Sequence, residues 1–164
     1  MILEDIDIVP IQQQHNASIA TIIRTALEEF NANKPGTVYY DASTDALFEV
    51  FKTEKSFYYV ALENGIIMGG GGIYPTNGLP SDTCERVKMY LSHDARGKGL
   101  GKKLIQLCID KAVELGFKNI YLETMPELKQ ALSIYAQFGF EYLKAPMGNS
   151  GHTGCSLWMN MRIG

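Results

Sequence analysis

The segment CERVKMYLSHDARGKGLGKKL, residues 84–104, decides the fold. Its first eight residues predict a β-strand, its glycines predict a tight turn, and helical spacing of apolar residues begins at Leu100. A strand, a glycine turn and a helix N-terminus together form an anion site, because the free N–H groups of the first helical turn point outward and glycine lets a phosphate approach the backbone. Lys98, Lys102 and Lys103 add positive charge beside this turn.

Two well-known phosphate-binding motifs do not fit the glycine turn. A dinucleotide fingerprint requires Gly-x-Gly-x-x-Gly, whereas the glycines here are Gly97, Gly99 and Gly101. A Walker A loop requires four residues between its glycines and then Lys-Ser or Lys-Thr, whereas Lys102 is followed here by Lys103. A purely structural interpretation also stays open, in which the glycines only allow a tight connection from strand to helix.

Outward from this segment, apolar periodicity and turn residues predict an α+β fold. Asn64-Gly65 predicts a two-residue hairpin turn, and Asn16 or Ser18 is the expected N-cap of the first helix. The glycine run 69–72 falls inside a strand, where it indicates a bulge or a close approach by substrate. Strands are predicted at residues 6–9, 56–62, 66–74, 84–91, 119–124, 140–143 and 155–161, and helices at 19–30, 44–52, 100–112 and 127–138.

Composition narrows the function classes. The 164 residues carry 15 Lys and Arg against 18 Asp and Glu, a net charge of −3, which does not favour binding to nucleic acid phosphates. The start MILED has acids where a secretory signal has bases, and no stretch approaches the ~18 apolar residues of a membrane helix, so we expect a soluble, cytoplasmic protein. Cys84, Cys108 and Cys155 fit reduced thiols, and the histidines lack metal-ligand spacing, so we expect no metal site.

The pattern R-x-x-G-x-G at residues 96–101 resembles the acetyl-CoA-binding motif of the GNAT (Gcn5-related) N-acetyltransferase superfamily. The pattern Y-x-x-x-G-F at residues 135–140 resembles the family's final helix and the strand after it, and the element order matches over residues 6–161. Leu128 is a departure, because many members have an Asn there. The resemblance implies a mixed, mostly antiparallel central sheet flanked by about four helices, with a splayed strand pair at the cofactor site, in a single acetyltransferase domain over residues 1–164.

The same resemblance implies where acetyl-CoA binds. In the family, backbone N–H groups of the glycine loop hold the pyrophosphate without a metal, and the strand before the loop pairs with the pantetheine arm. Leu91 takes the pantetheine-pairing position, and Met89 presents a backbone N–H that would stabilise the oxyanion at the thioester; both side chains also suit core packing. Which lysine meets the 3′-phosphate stays open. The implied cofactor-binding residues are Met89, Leu91, Arg96, Gly97, Lys98, Gly99, Leu100, Gly101 and Lys102.

Glu85 is the candidate general base. On an unbulged strand it shares an apolar face with Met89 and Leu91, and burial raises a carboxyl pKa towards the range useful for a base. It lies eleven residues before Arg96, where several family members hold their catalytic glutamate. A salt bridge with a basic neighbour is the structural alternative, and Glu123 or a water chain are the other candidates for the base.

Tyr135 is the candidate general acid. It lies in the last helix, where the family places the group that protonates the departing CoA thiolate; a tyrosine packed beside Phe138 with a solvated hydroxyl is the structural alternative. With Glu85 and the Met89 N–H, it implies an acetyl-CoA-dependent N-acyltransferase in which an amine attacks the thioester directly within a ternary complex. The alternative is an acyl-CoA-binding regulatory module without turnover.

The acceptor has no recognisable signature in the sequence. The resemblance implies a small amine or a peptide N-terminus, and the acidic chain slightly favours a cationic one. His152 and Trp158 are weak candidates for lining the acceptor side. Homodimers are common in the family, and the sequence leaves this point open.

Overall fold

The computed structural model describes residues 5–164, and the start of the chain at residues 1–4 lies outside the described residues. The fold is α+β, as predicted. The strands are β1 (Ile6–Pro10), β2 (Phe57–Glu63), β3 (Ile66–Tyr74), β4 (Thr83–Leu91), β5 (Asn119–Thr124), β6 (Glu141–Tyr142) and β7 (Leu157–Arg162). The helices are α1 (Asn16–Glu29), α2 (Leu47–Val50), α3 (Leu100–Glu114) and α4 (Lys129–Phe138). No helix in residues 5–164 is long and apolar enough to cross a membrane.

One seven-stranded sheet runs in the order β1-β2-β3-β4-β5-β7-β6. Every neighbouring pair is antiparallel except β4 and β5, which are parallel and joined through α3. A parallel pair requires such a crossover, whereas the antiparallel β2–β3 pair needs only the predicted turn, in which Asn64 and Gly65 both have positive φ. The mostly antiparallel sheet with four flanking helices confirms the predicted architecture.

The helices cover both faces of the sheet, because neighbouring residues of a strand point to opposite faces. Tyr58 of β2 packs with Ile23 and Leu27 of α1, whereas Tyr59 packs in the buried cluster that contains Leu104 of α3. Helix α4 lies on the same face as α3, since residues of both helices share one buried cluster. We call the two sides the α1 face and the α3 face.

The first helices differ from the sequence prediction. The N-cap of α1 is His15, and Asn16 is instead the first helical residue. Its side chain accepts a hydrogen bond from the Phe48 N–H (2.8 Å) and donates one to Glu49 (2.7 Å), so it ties α1 to α2. The second predicted helix is split into a 3-10 turn and the short α2, and the predicted strand at residues 140–143 shortens to β6.

A β-bulge in β4 lies opposite the glycine run in β3. Gly70 pairs with Tyr90 but Gly72 pairs with Val87, so β4 carries an extra residue, and Lys88 has φ +51°. A Cβ on Gly71 would lie 2.6 Å from the Met89 side chain, so only glycine leaves room for it. The predicted bulge is therefore confirmed.

The bulge corrects the expected face of Glu85. Cys84 and Met89 pack in the same buried cluster on the α3 face, although an unbulged strand would place them on opposite faces. Glu85 therefore points to the α1 face, away from Met89 and Leu91. The extra residue in β4 therefore places the Glu85 and Met89 side chains on opposite faces of the sheet.

Strands β4 and β5 are paired only at their beginnings. Residues Thr83, Cys84 and Glu85 pair with residues 119–121, and no pairing follows from Arg86 onward within the described strands. The strands diverge beyond this point, which matches the predicted splay. The gap between them opens into a cavity.

Candidate active site

A cavity of about 440 Å³ follows the gap between β4 and β5. It is lined by β4 from Glu85 to Leu91, by the glycine turn, by α4 and by the end of α1. Of the residues predicted from sequence, the cavity lining includes Glu85, Met89, Leu91, Arg96, Gly97, Gly99, Gly101, Lys102 and Tyr135. Among the described residues, Lys98 and Leu100 do not line it: Leu100 is buried in the core, and Lys98 is exposed.

The glycine turn presents unpaired amides to one end of this cavity. Gly97 and Gly99 have φ of +75° and +87°, and Gly99 is the N-cap of α3. The Lys103 N–H bonds the Gly99 carbonyl at 3.1 Å, while helix geometry leaves the amides just before it without intrahelical acceptors. A Cβ on Gly97 would meet nothing within 4 Å, so the turn has open space beside it. The chemistry of this donor set suits a phosphate group.

The Arg96 side chain anchors the turn to its surroundings. It donates to the Leu91 carbonyl (3.0 Å) and to the Glu29 carboxylate (2.6 Å), and its guanidinium lies 4.7 Å from the centre of the Phe30 ring. These contacts join the end of β4 to the end of α1. They leave any phosphate contact of Arg96 to its main chain.

Glu85 is a buried carboxyl group with one close hydrogen-bond donor. The residue is only 3% exposed, and its carboxylate accepts a hydrogen bond from the Thr76 hydroxyl at 2.6 Å. Burial raises its pKa to about 6; the negative charge of Glu123 adds to this effect, while the Thr76 hydrogen bond opposes it. Within residues 5–164 Glu85 has no salt bridge, so the structure does not support the structural alternative.

The residues that face Glu85 form a charged network; the sequence named Glu123 and His152 separately but did not predict a network that joins them to Asp41 and Lys88. His152 lies 2.6 Å from an Asp41 carboxylate oxygen and 3.7 Å from a Glu123 oxygen, and Lys88 Nζ lies 3.3 Å from the same Asp41 oxygen. Burial alone would lower the pKa of His152, but its hydrogen bond with Asp41 and the nearby Glu123 carboxylate outweigh burial and raise the pKa to about 9. The network therefore holds an imidazolium at neutral pH.

Glu123 differs from Glu85 in its surroundings. Burial works to raise its pKa, but the nearby His152 imidazole and hydrogen bonds from Ser150 and Tyr121 outweigh burial and lower it. Neighbouring carboxyl groups whose pKa values are pushed apart divide the acid and base roles between them. Glu85 is the carboxyl group better suited to exchange a proton near neutral pH, and Glu123 the one better suited to hold a fixed negative charge.

The same residues form a three-ligand cluster of the kind that can hold a metal. One ligand atom each from Glu85, Glu123 and His152 lies within 4.8 Å of the others. A metal requires a neutral imidazole, whereas His152 has a pKa raised to about 9 and bonds Asp41 through Nε2. The residues present fit an imidazolium between carboxylates better than a metal ligand set.

Tyr135 reaches the cavity from α4 on the α3 face. It is 4% exposed, its ring meets Phe140 edge-on with centroids 5.8 Å apart, and the Arg86 guanidinium lies 4.9 Å from its ring centre. It is therefore a buried cavity residue and not a solvated surface tyrosine. Leu128 also lines this cavity and presents an apolar side chain at the position where many members of the GNAT superfamily have Asn.

The sequence carries no signal that connects His152 with Asp41. His152 lies in a glycine-rich loop before β7, and Asp41 lies in the irregular segment after α1. The two residues are 111 positions apart, so no local spacing connects them. Only the packing of both segments over β4 and β5 brings them together.

Comparison with known proteins places this geometry in context. The family model described as "Acetyltransferase (GNAT) family" matches residues 20–140. The chain is 41% identical over 148 residues to the uncharacterized N-acetyltransferase YjgM of Escherichia coli (strain K12), which covers 89% of this chain and 88% of that protein.

Two solved structures show the same fold. One is an acetyltransferase of the GNAT family from Staphylococcus aureus Mu50, with a TM-score of 0.86 and 19% identity over 97% of this chain and 99% of that chain. The other is yncA from Salmonella typhimurium with its cofactor acetyl-CoA, with a TM-score of 0.72 and 18% identity over 98% of this chain and 95% of that chain. At these identities the similarity establishes the fold.

Proposed function

The chain belongs to the GNAT acetyltransferase family, and from this premise we propose that it transfers the acetyl group of acetyl-CoA to an amine acceptor by direct attack in a ternary complex. The observation that carries the proposal is the placement of Glu85 and Tyr135 on opposite faces of the sheet, in one cavity that passes through the gap between β4 and β5. We further propose that residues 1–164 act as a single acetyltransferase domain.

The cofactor occupies the α3 face in this proposal. The pyrophosphate is held by the amides of the glycine turn, where two glycines with positive φ and the start of α3 supply donors. The pantetheine arm pairs with β4 at Leu91 like an added strand and passes into the gap that the unpaired parts of β4 and β5 leave open. These features support an acyl-CoA and require no metal.

The acceptor amine approaches from the α1 face. Glu85 accepts a proton from the ammonium group, directly or through water, and the free amine then attacks the thioester carbon. The Met89 N–H stabilises the oxyanion that forms there. Collapse of the intermediate breaks the carbon–sulfur bond, Tyr135 donates a proton to the sulfur, and the nitrogen releases its second proton to solvent to leave a neutral amide. The bulge supports these separate roles, because it places the Glu85 and Met89 side chains on opposite faces of the sheet.

The charges on the α1 face bear on the acceptor. Asp41 and Glu123 are matched by Lys88 and His152, so Glu85 is the carboxyl group left to meet an incoming cation. A small amine or a peptide N-terminus carries one such cation. We therefore propose an acceptor of this class.

The proposal is tested by thiol release from acetyl-CoA over a panel of amines, amino acids, polyamines and peptides. We expect release with at least one amine class, and we expect Tyr135→Phe to slow turnover by about 10- to 100-fold while acetyl-CoA affinity stays within about twofold. If acetyl-CoA binds but no acceptor in the panel releases thiol above background, the result favours the alternative of a regulatory acyl-CoA-binding module. If Tyr135→Phe abolishes acetyl-CoA binding, Tyr135 has a structural role.

A further inference from the structure

Arg86 is a buried guanidinium group without a counterion. The residue is 7% exposed, its Nε has no hydrogen-bond partner, and none of the salt bridges in residues 5–164 includes it. By contrast, Arg24 pairs with Asp45, Arg96 with Glu29, and the buried Lys88 with Asp41. An unpaired buried charge is costly, so a protein that keeps one in a cavity retains it for a ligand or a reaction.

The position of Arg86 assigns it to the α3 face. It follows Glu85 in β4 and so points to the opposite side, where its guanidinium lies over the Tyr135 ring at 4.9 Å. The charge of Arg86 contributes to the shifted pKa values of Glu85, Tyr58, Tyr90, Cys108 and Cys155. None of these is a carboxylate on the α3 face. Within residues 5–164 the structure therefore pairs Arg86 with no anion, and a bound ligand can supply one.

A second unpartnered polar group lies on the same face. Thr124 is 2% exposed, and its hydroxyl oxygen is buried without a hydrogen-bond partner. Alternation along β5 places it with Leu122, which packs on the α3 face, and both Thr124 and Arg86 line the cavity. Two orphaned polar groups thus flank the gap, one from each diverging strand, next to the tyrosine proposed as the acid.

We infer that Arg86 stabilises the CoA thiolate as it departs. This inference rests on the proposed function and adds a residue to it. When the amine nitrogen forms its bond to the carbonyl carbon and the carbon–sulfur bond breaks, the electron pair of that bond stays on sulfur. The guanidinium holds this negative charge until Tyr135 supplies the proton; Tyr135 then recovers a proton from solvent, and the nitrogen releases its second proton to solvent to leave a neutral amide. A fixed cation aimed at the place where charge develops stabilises the transition state more than the neutral thioester.

The other anions of the reaction have other partners. The pyrophosphate lies at the glycine turn in the proposed function, and the oxyanion is held by the Met89 N–H. A carboxylate on the acceptor would enter from the α1 face, where Lys88 and His152 lie. The thiolate is the negative charge that arises on the α3 face beside Tyr135, which is where Arg86 is found.

The inference is tested by comparing the affinities of CoA and desulfo-CoA, which lacks the sulfur, in the full-length protein. We expect the wild type to bind CoA at least about tenfold more tightly than desulfo-CoA at about pH 8, because a nearby guanidinium favours the thiolate form. In Arg86→Met the ratio of the two affinities should fall to about one, while the affinity for desulfo-CoA stays within about twofold of the wild-type value. Arg86→Lys, which keeps the charge, should recover part of the preference.

Turnover provides the second readout. With acetyl-CoA, kcat of Arg86→Met should fall by about 10- to 100-fold with little change in KM for acetyl-CoA. An unchanged desulfo-CoA affinity and an unchanged or higher Tm show that the variant is folded, since removal of an unpaired buried charge does not destabilise.

Two results would overturn the inference while leaving the proposed function intact. One is equal affinity of the wild type for CoA and desulfo-CoA. The other is a wild-type preference for succinyl-CoA over acetyl-CoA that disappears in Arg86→Met, because the guanidinium would then recognise a carboxylate on the acyl group. Failure of the wild type to bind either CoA or desulfo-CoA would instead contradict the proposed function itself.

Discussion

At the scale of single residues, Glu85 carries the pH dependence of the proposed reaction. A general base must be deprotonated, and burial raises the pKa of Glu85 to about 6. We therefore expect kcat/KM to rise with pH through about 6 and to level off above it. Glu85→Gln should lower kcat/KM by about 100-fold or more and remove this limb of the profile. Glu54→Gln, at an exposed residue outside the cavity lining, is the control. A Glu85→Gln profile that keeps the wild-type rate and shape excludes Glu85 as the base.

The raised pKa of Glu85 also predicts that Glu85→Gln, which should lower kcat/KM, should raise the free energy of unfolding. A carboxyl group whose pKa is higher in the folded than in the unfolded protein destabilises the fold at pH values above both pKa values. Because Glu85 is 3% exposed and its pKa rises from 4.5 to about 6, Glu85→Gln should raise the free energy of unfolding by about 2 kcal/mol at about pH 8. Near pH 4 the gain should vanish. Urea unfolding at the two pH values measures it, and an equal effect at both would show that burial of the charge is not the cause.

Prediction from sequence succeeded for Glu85 as a buried carboxyl group but not for its surroundings. Its position before the glycine turn is a local property, and its burial follows from an apolar strand. The prediction that Glu85 shares a face with Met89 and Leu91 was wrong, because the bulge at Lys88 moves these two residues to the other face. Asp41 and His152 meet only when the chain folds, so local spacing could not pair them.

At the scale of elements, the turn between β4 and α3 should bind the pyrophosphate through its main chain. Gly97 and Gly65 offer a matched comparison, because both have φ near +76° and neither has an atom within 4 Å of a built Cβ. Gly97→Asp should weaken acetyl-CoA binding by at least about tenfold through charge repulsion. Gly97→Asn, which keeps the shape without the charge, should retain most of the affinity.

Calorimetric titration with acetyl-CoA measures these affinities. Gly65→Asp carries the same substitution at the β2–β3 turn, so it controls for backbone strain and added charge and should bind like the wild type. If Gly97→Asp also binds like the wild type, the turn does not hold the pyrophosphate.

Elements with strong periodicity or turn chemistry were predictable. Strands β3 and β5 have the predicted bounds, and α4 ends at Phe138, before Gly139 in the left-handed region. The segment 42–50 was not predictable as it stands, because its apolar residues are spaced for one helix while the structure uses a 3-10 turn and the four-residue α2. The bulge itself was foreseen from the glycines, but its position in β4 depends on the partner strand.

At the scale of the whole molecule, the sheet separates two half-sites. The α3 face holds the glycine turn, Tyr135 and Arg86, while the α1 face holds Glu85 and the network around His152. The two half-sites meet at the gap between β4 and β5, so an acyl group placed there lies between Glu85, the proposed base, and Tyr135, the proposed acid. This arrangement follows from one parallel strand pair that diverges in an otherwise antiparallel sheet.

The most direct test of this account is a crystal structure of the protein with acetyl-CoA bound. We expect the pyrophosphate on the amides of the glycine turn and the thioester oxygen about 3 Å from the Met89 nitrogen. The sulfur should lie on the α3 face beside Tyr135, and the carbonyl carbon should be open to the α1 face towards Glu85. A cofactor bound outside the gap, or a thioester directed away from both Glu85 and Tyr135, would contradict the account.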